Sequence, residues 1–420
     1  MDRGRLFFAS CLALVTTSMV FSIRGDILDA LGADFHLNNE QMGLVLSPAF
    51  WGFTLSIIIG GSLVDFLGMK RLLVLSSVFY IGAVLAIIFA PRPTAPVTPY
   101  YSDTGFLILY GSMLTLGLAQ GLVEAVINPL CATIYAERKT QKLNVLHAWW
   151  PGGLIIGGLA AFAITNVMGL GPGVSAEQAT LGWQVKLGLL LAPAVVFGLI
   201  AMQQQFPATE RVAAGVSSGD MVRETMRPMF LLWFCLMWMT AATELGPDQW
   251  VASLITNLAG MQGILILVYT SGIMFLLRFF GGGLAHKVSP IGVLMLASIF
   301  SAIGLFGLAS VSTPVQAFAA ATLFGIGKAY FWPVMLGVTS ELFPKGGSMA
   351  MAIIGGAGML STAFILPIMG EWYDRYGAAA AFRYVGVLPI ILTVAFGLLF
   401  FYFKSRGGYR AIKIEGTEAA

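Results

Sequence analysis

Charge is scarce in this sequence. Only 10% of the 420 residues are Asp, Glu, Lys or Arg, against about 25% in an ordinary soluble protein. That shortage excludes a soluble enzyme, a nucleic-acid binder and a disordered chain. The net charge of +3 is too weak to imply a polyanionic partner, so no nucleic acid is expected. Cysteine is nearly absent too. Cys11, Cys131 and Cys235 lie inside apolar runs without metal-ligand spacing, which argues against a disulfide framework and for reduced, buried thiols. The three histidines, His36, His147 and His286, are far apart. No zinc site, other metal site or cofactor is expected, and no phosphate loop or nucleophile elbow suggests an enzyme.

Apolar length is what the sequence has. Hydrophobic residues make up 58%, or about 244 side chains. A membrane-crossing helix needs about 20 such residues, so twelve need about 240. Runs of 20–30 apolar residues also exclude an outer-membrane barrel, whose strands alternate over about ten residues. Met1 to Phe21 imitates a signal peptide, with Arg3 and Arg5 before an apolar stretch. The stretch exceeds the usual core of about 7–15 residues and lacks a small-residue cleavage site, so it reads as a retained first span. Twelve spans are expected near 6–30, 42–65, 71–90, 105–134, 143–168, 182–204, 228–257, 262–285, 290–310, 314–341, 347–371 and 379–403. Prolines and glycines punctuate most gaps. The longest polar break, Phe206 to Pro228, divides the chain near its midpoint. The expected organisation is an N-terminal six-helix bundle (1–205), a linker (206–227), a C-terminal six-helix bundle (228–404) and a tail (405–420).

Counting Lys and Arg sets the orientation. The side holding both termini and the even-to-odd loops carries sixteen, the other side about five, with Arg278 and Lys328 inside spans. Both termini are therefore expected in the cytoplasm. The absence of an Asn-x-Ser/Thr sequon leans towards a bacterial inner membrane.

The halves read as copies. Gly60-Gly61-Ser62-Leu63-Val64-Asp65 ends the second span before a basic loop, and Gly281-Gly282-Gly283-Leu284-Ala285-His286-Lys287 ends the eighth. Asn128-Pro129 answers Trp332-Pro333, and Gly152-Gly153 answers Gly355-Gly356. Duplicated halves with a midplane site between them mark a secondary transporter. The run from Gly61 through Asp65, Gly68, Lys70 and Arg71 resembles the signature loop of the major facilitator superfamily. The resemblance covers the whole chain and implies an all-α membrane protein of twelve helices in two pseudo-symmetric six-helix bundles. Asp65 would act in gating, pairing with a cation or a helix N-terminus across the halves. In the second copy His286 replaces the acid and Ser289 the second glycine, which implies a weaker gate there.

Other stretches resemble the fucose–proton symporter branch of that superfamily. They are Gly25-Asp26-Ile27-Leu28, Gly117 to Pro129, Asn144 to Gly158, and Glu244-Leu245-Gly246-Pro247-Asp248-Gln249-Trp250. The resemblance implies Asp26 and Glu124 as the proton-coupling carboxylates. Arg24, and the bulk of His147-Ala148-Trp149-Trp150, depart from it and bear on which sugar is carried.

An ionisable residue inside a span is expensive and functional by default. Glu124 lies amid apolar residues with Asn128 one helical turn on. Asp26 and Asp29 share a face in the outer half of the first span. Glu244 and Asp248 flank Gly246-Pro247, where a helix break is expected. Arg278 lies near enough to the membrane edge to snorkel, and Lys328 is a candidate for an anionic substrate or for neutralising Glu124 or Glu244. Trp51, Trp149, Trp150, Tyr330 and Trp332 cluster where a midplane cavity would lie. There indoles can stack on sugar C–H faces while Gln120, Asn128, Asn144 and Gln249 serve hydroxyls. His147 is placed to join a proton relay.

These readings converge on proton-coupled uptake of a small polar solute, a monosaccharide first, by a monomer in the lipid bilayer. The alternatives are a proton-coupled exporter, suggested by Pro151-Gly152-Gly153 and Gly157-Gly158, and sodium-coupled sugar uptake. The arginine motif common in the fourth span of drug antiporters is missing, since no Arg occurs between Arg92 and Arg138.

Overall fold

The computed structural model describes residues 2–135, 139–171, 173–207, 218–280, 289–410 and 412. Eleven helices among them are long and apolar enough to cross a membrane, and the apolar helix Ile264–Phe280 takes the place of the eighth span. The sixth span is two helices, Ala176–Gly188 and Leu191–Gln203, and the twelfth is likewise two, Ala378–Val385 and Val387–Ser405. The expected linker over 206–227 and tail over 405–420 lie partly outside the described residues. Large apolar side chains face outwards along one stripe of the last helix: Val394, Leu398 and Phe401 are 59%, 67% and 63% exposed. In a bilayer that face meets lipid, so exposure there carries no penalty. Cys235 is exposed too, against the expectation of three buried thiols, while Cys11 and Cys131 are buried. An apolar run fixes depth in the membrane but not which face points to the protein.

The packing repeats between the halves. The first span (Arg3–Asp26) packs on the fifth (Lys139–Val167) as the seventh (Pro228–Ala259) packs on the eleventh (Gly347–Tyr376). The second (Asn39–Leu67) packs on the fourth (Thr104–Ile134) as the eighth packs on the tenth (Pro314–Lys328 and Phe331–Leu342). Small residues permit the close crossings that membrane helices favour. A Cβ on Gly117 would strike the Ala49 backbone, and one on Gly153 would strike Val15 and Ser18.

Between the halves, the second span meets the eleventh, the fifth meets the eighth, and the first meets the seventh. Exchanging the two halves maps this set onto itself. Among the described residues, the hydrogen bonds that cross lie from mid-depth to the end remote from the termini. Thr54 donates to the Gly356 carbonyl at 2.8 Å and Ser47 to that of Ala363 at 2.5 Å. At the far end Asp374 accepts from the Asn39 side chain at 2.7 Å and from the Glu40 backbone N–H at 2.8 Å. The carboxylate thus caps the second span from the other half, where the helix dipole favours an anion. Gly43 and Gly370 permit this approach: a Cβ on either would meet the opposing backbone.

The repeat extends to single dihedrals. Gly68, before the third span (Met69–Ile88), has φ 79° and ψ 150°. Ser289, before the ninth (Pro290–Leu308), has φ 74° and ψ 152°. That region is essentially reserved for glycine, and a side chain there costs about 1–3 kcal/mol. Ser289 recovers part of it by capping the Gly292 N–H, where glycine is poorer than serine by only a few tenths. Ser289→Gly should therefore stabilise the folded protein by about 1 kcal/mol, read as a raised midpoint of thermal unfolding in detergent. An unchanged or lower midpoint would show that the strained backbone is relieved elsewhere.

Candidate functional site

Three polar residues line one face of the fourth span, each one turn after the last: Gln120, Glu124 and Asn128. The Asn128 amide donates to Glu124 Oε2 at 2.9 Å, and Asn128 Oδ1 meets His147 Nε2 at 2.9 Å. With the amide so placed, His147 donates through Nε2. Glu124 and Asn128 are half-buried and His147 is exposed, so this bonded chain runs from the interior to an open face. Gln120 is buried, and its Nε2 has no partner. One turn after His147, the half-buried Trp150 packs edge-to-face on Phe21 of the first span, with ring centroids 5.0 Å apart.

Phe21 leads to Arg24. The guanidinium lies over the rings of Phe21 and Phe50 at 5.0 and 4.8 Å. Its Nε donates to Gln249 Oε1 of the seventh span at 2.8 Å, and Gln249 donates in turn to the Phe21 carbonyl at 3.2 Å. Arg24 is 1% exposed, and neither terminal nitrogen has a hydrogen-bond partner. The buried Tyr80 hydroxyl, bonded to Thr17 at 2.7 Å, is within electrostatic reach of both Arg24 and Glu124.

Six further described charges of the spans are paired. Asp26, two residues beyond Arg24, binds Lys186 of the sixth span at 2.6 Å, so it is no solvated rim charge. Lys328 is fully buried and holds both oxygens of Asp248 at 2.6 and 2.7 Å. Its expected freedom for an anionic substrate is corrected accordingly, because the Asp248 carboxylate of the seventh span already occupies the ammonium. Arg278 turns inwards instead of snorkelling. Its Nε donates to the Ala329 carbonyl at 2.8 Å, and it lies 3.5 Å from Glu244. Glu244 and Asp248 are both buried. The expected break between them is also corrected: Pro228–Ala259 is one continuous helix with Pro247 inside it. Membrane helices tolerate an internal proline because their neighbours satisfy the freed backbone groups. Beyond the first span, Asp29 accepts from Ser253 Oγ of the other half at 2.6 Å. Burial pushes its carboxyl above the ordinary range, against the pull of that hydrogen bond.

Trp332 is half-buried and packs over Gly355 and Gly358 of the eleventh span. Gln249 belongs to the Arg24 contact. Of the gating motif, Gly68 holds its positive φ, Lys70 is half-buried and Arg71 is exposed. Gly61 is in the second helix, but the Asp65 and Asn144 side chains lie outside the described residues, as does the segment 281–288 with His286. The structure thus joins Glu124, Asn128, His147 and Trp150 into one wall, with Gln120 on the same face of the fourth span. It places Glu244, Asp248 and Lys328 in a separate network of the second half. Arg24, Lys186 and Asp374 complete the polar framework; the sequence reading gave Lys186 and Asp374 no role and met Arg24 only as a departure from the family resemblance.

The family model described as Major Facilitator Superfamily matches residues 6–317 and 251–417. Among curated proteins, the human voltage-gated purine nucleotide uniporter is 29% identical over 101 residues, 24% of this chain and 21% of that protein. The mouse protein of that name is 30% identical over 134 residues, 31% of this chain and 28% of that one. The matched stretches are thus under a third of the relatives' length. Among solved structures, the xylose transporter XylE from E. coli superposes with a TM-score of 0.75 at 13% identity, over 94% of this chain and 98% of that one. The nucleoside transporter NupG does so with a TM-score of 0.71 at 12% identity, over 95% and 99%. At such identity the likeness is one of fold. The family match, however, runs through both halves, and the chain belongs to the Major Facilitator Superfamily of multi-pass membrane transporters.

Proposed function

We propose that the chain is a proton-coupled symporter of a small polar solute, working by alternating access, with Glu124 as the coupling carboxylate. One observation carries this reading. Asp26, Glu244 and Asp248 are each ion-paired within their spans, whereas the hydrogen bond to the Glu124 carboxylate comes from a neutral amide that is itself bonded to an exposed histidine. Among the described residues Glu124 has no counter-cation, so a proton is the charge-balancing partner this reading assigns to it. Its route to the open face is the His147 side chain, and loading it requires no ion pair to break. Asp26 is the second coupling candidate, since its protonation would release Lys186 and loosen the first span from the sixth.

The solute is proposed to be of monosaccharide size. The resemblance of the first, fourth, fifth and seventh spans to the fucose–proton branch supports this, as does the combination of Trp150 with the amides of Gln120 and Asn128. Indole presents a flat apolar face, and the amides offer the paired donors and acceptors that hydroxyls need. The reading further places a monomer in a bacterial inner membrane with both termini inside. The contacts at Asp374, Gly43 and Gly370 then close the outer side.

Glu124→Gln keeps the hydrogen-bonding shape and removes the titration. In proteoliposomes it should abolish solute-driven alkalinisation of a lightly buffered exterior, and proton-driven accumulation with it, while counterflow between two solute pools continues. Accumulation that survives in the variant would sink Glu124 as the coupling group. The outer closure gives a second test. Hydrogen bonds to a charged group contribute about 1.5–3 kcal/mol, so Asp374→Ala should raise the open population roughly tenfold. With Cys235 replaced by Ser and Ala363→Cys as reporter, an impermeant maleimide should label the variant about tenfold faster. Equal labelling rates would mean that the closure does not depend on Asp374.

A further inference from the structure

The polar atoms of Arg24 are only partly used. Its guanidinium is 1% exposed, its Nε holds a neutral amide, and both terminal nitrogens are without partners. Each other described cation at the heart of the spans already faces a carboxylate: Lys186 has Asp26, Lys328 has Asp248, and Arg278 has Glu244. Glu124 does not neutralise Arg24 in this state, because neither terminal nitrogen is bonded. The rings of Phe21 and Phe50 hold the guanidinium from its faces. Such contacts are attractive and orient the plane, but they leave the in-plane N–H groups of the fork unfilled.

The position is that of a ligand group rather than a strut. Arg24 sits where the first span crosses the seventh, with the Gly25 position close against the Gln249 carbonyl. Phe21 connects it directly to Trp150, and so to the wall that holds His147, Asn128 and Glu124. Among the described residues, the tie across the halves at this point is Gln249, and it is the one hydrogen-bond acceptor of the Arg24 side chain, so parting the halves on this side would remove it.

We propose that Arg24 is the anion-binding group of the translocation pathway, its terminal nitrogens taking the carboxylate or phosphate of a small polyhydroxylated solute. This rests on the transporter reading of the same site and narrows its substrate class from neutral sugars to sugar acids or sugar phosphates. A guanidinium presents two parallel N–H donors that match two oxygens of such a group. Gln249 Oε1 is the neutral stand-in that steadies the side chain when the outer side is shut, and the solute replaces it when that side opens. Trp150, Gln120 and Asn128 remain to receive the hydroxylated part.

The test is equilibrium binding to the purified full chain in detergent at fixed pH and ionic strength, with glucose, gluconate, glucuronate and glucose 6-phosphate as probes. No proton gradient is present, so the result reads anion recognition whether or not transport is coupled to protons. At least one anion should bind at least tenfold more tightly than glucose. The carboxylate and phosphate probes separate the two possible head groups. Arg24→Gln should erase the preference, and Arg24→Lys should keep part of it. Should Arg24→Gln fail to fold, Gln249→Ala serves instead. It leaves the guanidinium intact without its competing acceptor and should tighten anion binding at least threefold. Glucose binding as well as its anionic relatives, no probe binding to folded protein, an anion preference that survives Arg24→Gln, or Gln249→Ala without tighter binding would each overturn the assignment.

Discussion

A charge inside a bilayer must be neutralised within reach of its own side chain, and the interior of this protein is arranged around that requirement. Taking a charged side chain out of water costs several kcal/mol even after relaxation, and a partner offsets this only when the geometry is close. The pairs here are close: 2.6 Å for Lys186 with Asp26 and for Lys328 with Asp248. Each joins two helices of one half, the first to the sixth and the seventh to the tenth. They act within the halves, as rivets of each bundle. The contacts between halves are of another kind: hydroxyls on carbonyls, an amide on a guanidinium, a carboxylate on a helix N-terminus. Such bonds are individually modest and exchange readily with water. Two bundles riveted inside and lightly latched between them are suited to moving as rigid bodies.

The pseudo-symmetry would make such a motion reversible. Because the second span meets the eleventh as the eighth meets the fifth, a rocking that opens one end can be mirrored by one that opens the other, with similar packing. The glycines of the interface lie where the helices of the two halves cross closely. Gly43 and Gly370 serve the closed end, and Gly158 faces Ile264 and Val268 where the fifth span meets the eighth. Ser289 shows the cost of keeping the plan when the residue changes, since a serine holds the backbone that a glycine holds in the first copy.

The sequence made the architecture legible because span length and loop charge are one-dimensional properties. Twelve apolar runs, the division at the midpoint and the copied glycine motifs all lie along the chain. The Glu124–Asn128–His147 chain was half legible: the one-turn spacing of Glu124 and Asn128 is written in the fourth span, but the bond to His147 needed the packing of two helices. Partnership across helices was not legible. Lys328 reads as a free cation until Asp248 is found beside it, eighty residues away in sequence. Arg24 fell inside the expected first span, 6–30, but was read only as a departure from the family resemblance. The apolar run Phe21-Ser22-Ile23 before it was the available signal, and it places Arg24 within the last turn of a membrane helix. Gly246-Pro247 misled in the opposite direction, since a proline that would break a helix in water is carried by its neighbours here.

Two described groups at the heart of the spans remain outside the rule of local pairing, and they have opposite charges. Among the described residues Arg24 has no anion and Glu124 has no cation, yet both belong to one wall of the fourth, fifth and first spans. A proton on Glu124 removes one uncompensated charge, and an anion on Arg24 removes the other. With only one of them bound, a bundle motion must carry the remaining charge through a dry crossing. With both bound, the wall is neutral throughout and the penalty is gone. If Arg24 is the anion site, coupling between proton and solute then needs no direct contact between them, because each lowers the barrier that the other leaves standing. A carrier built this way moves a monoanion and one proton together, and the pair crosses as a neutral load.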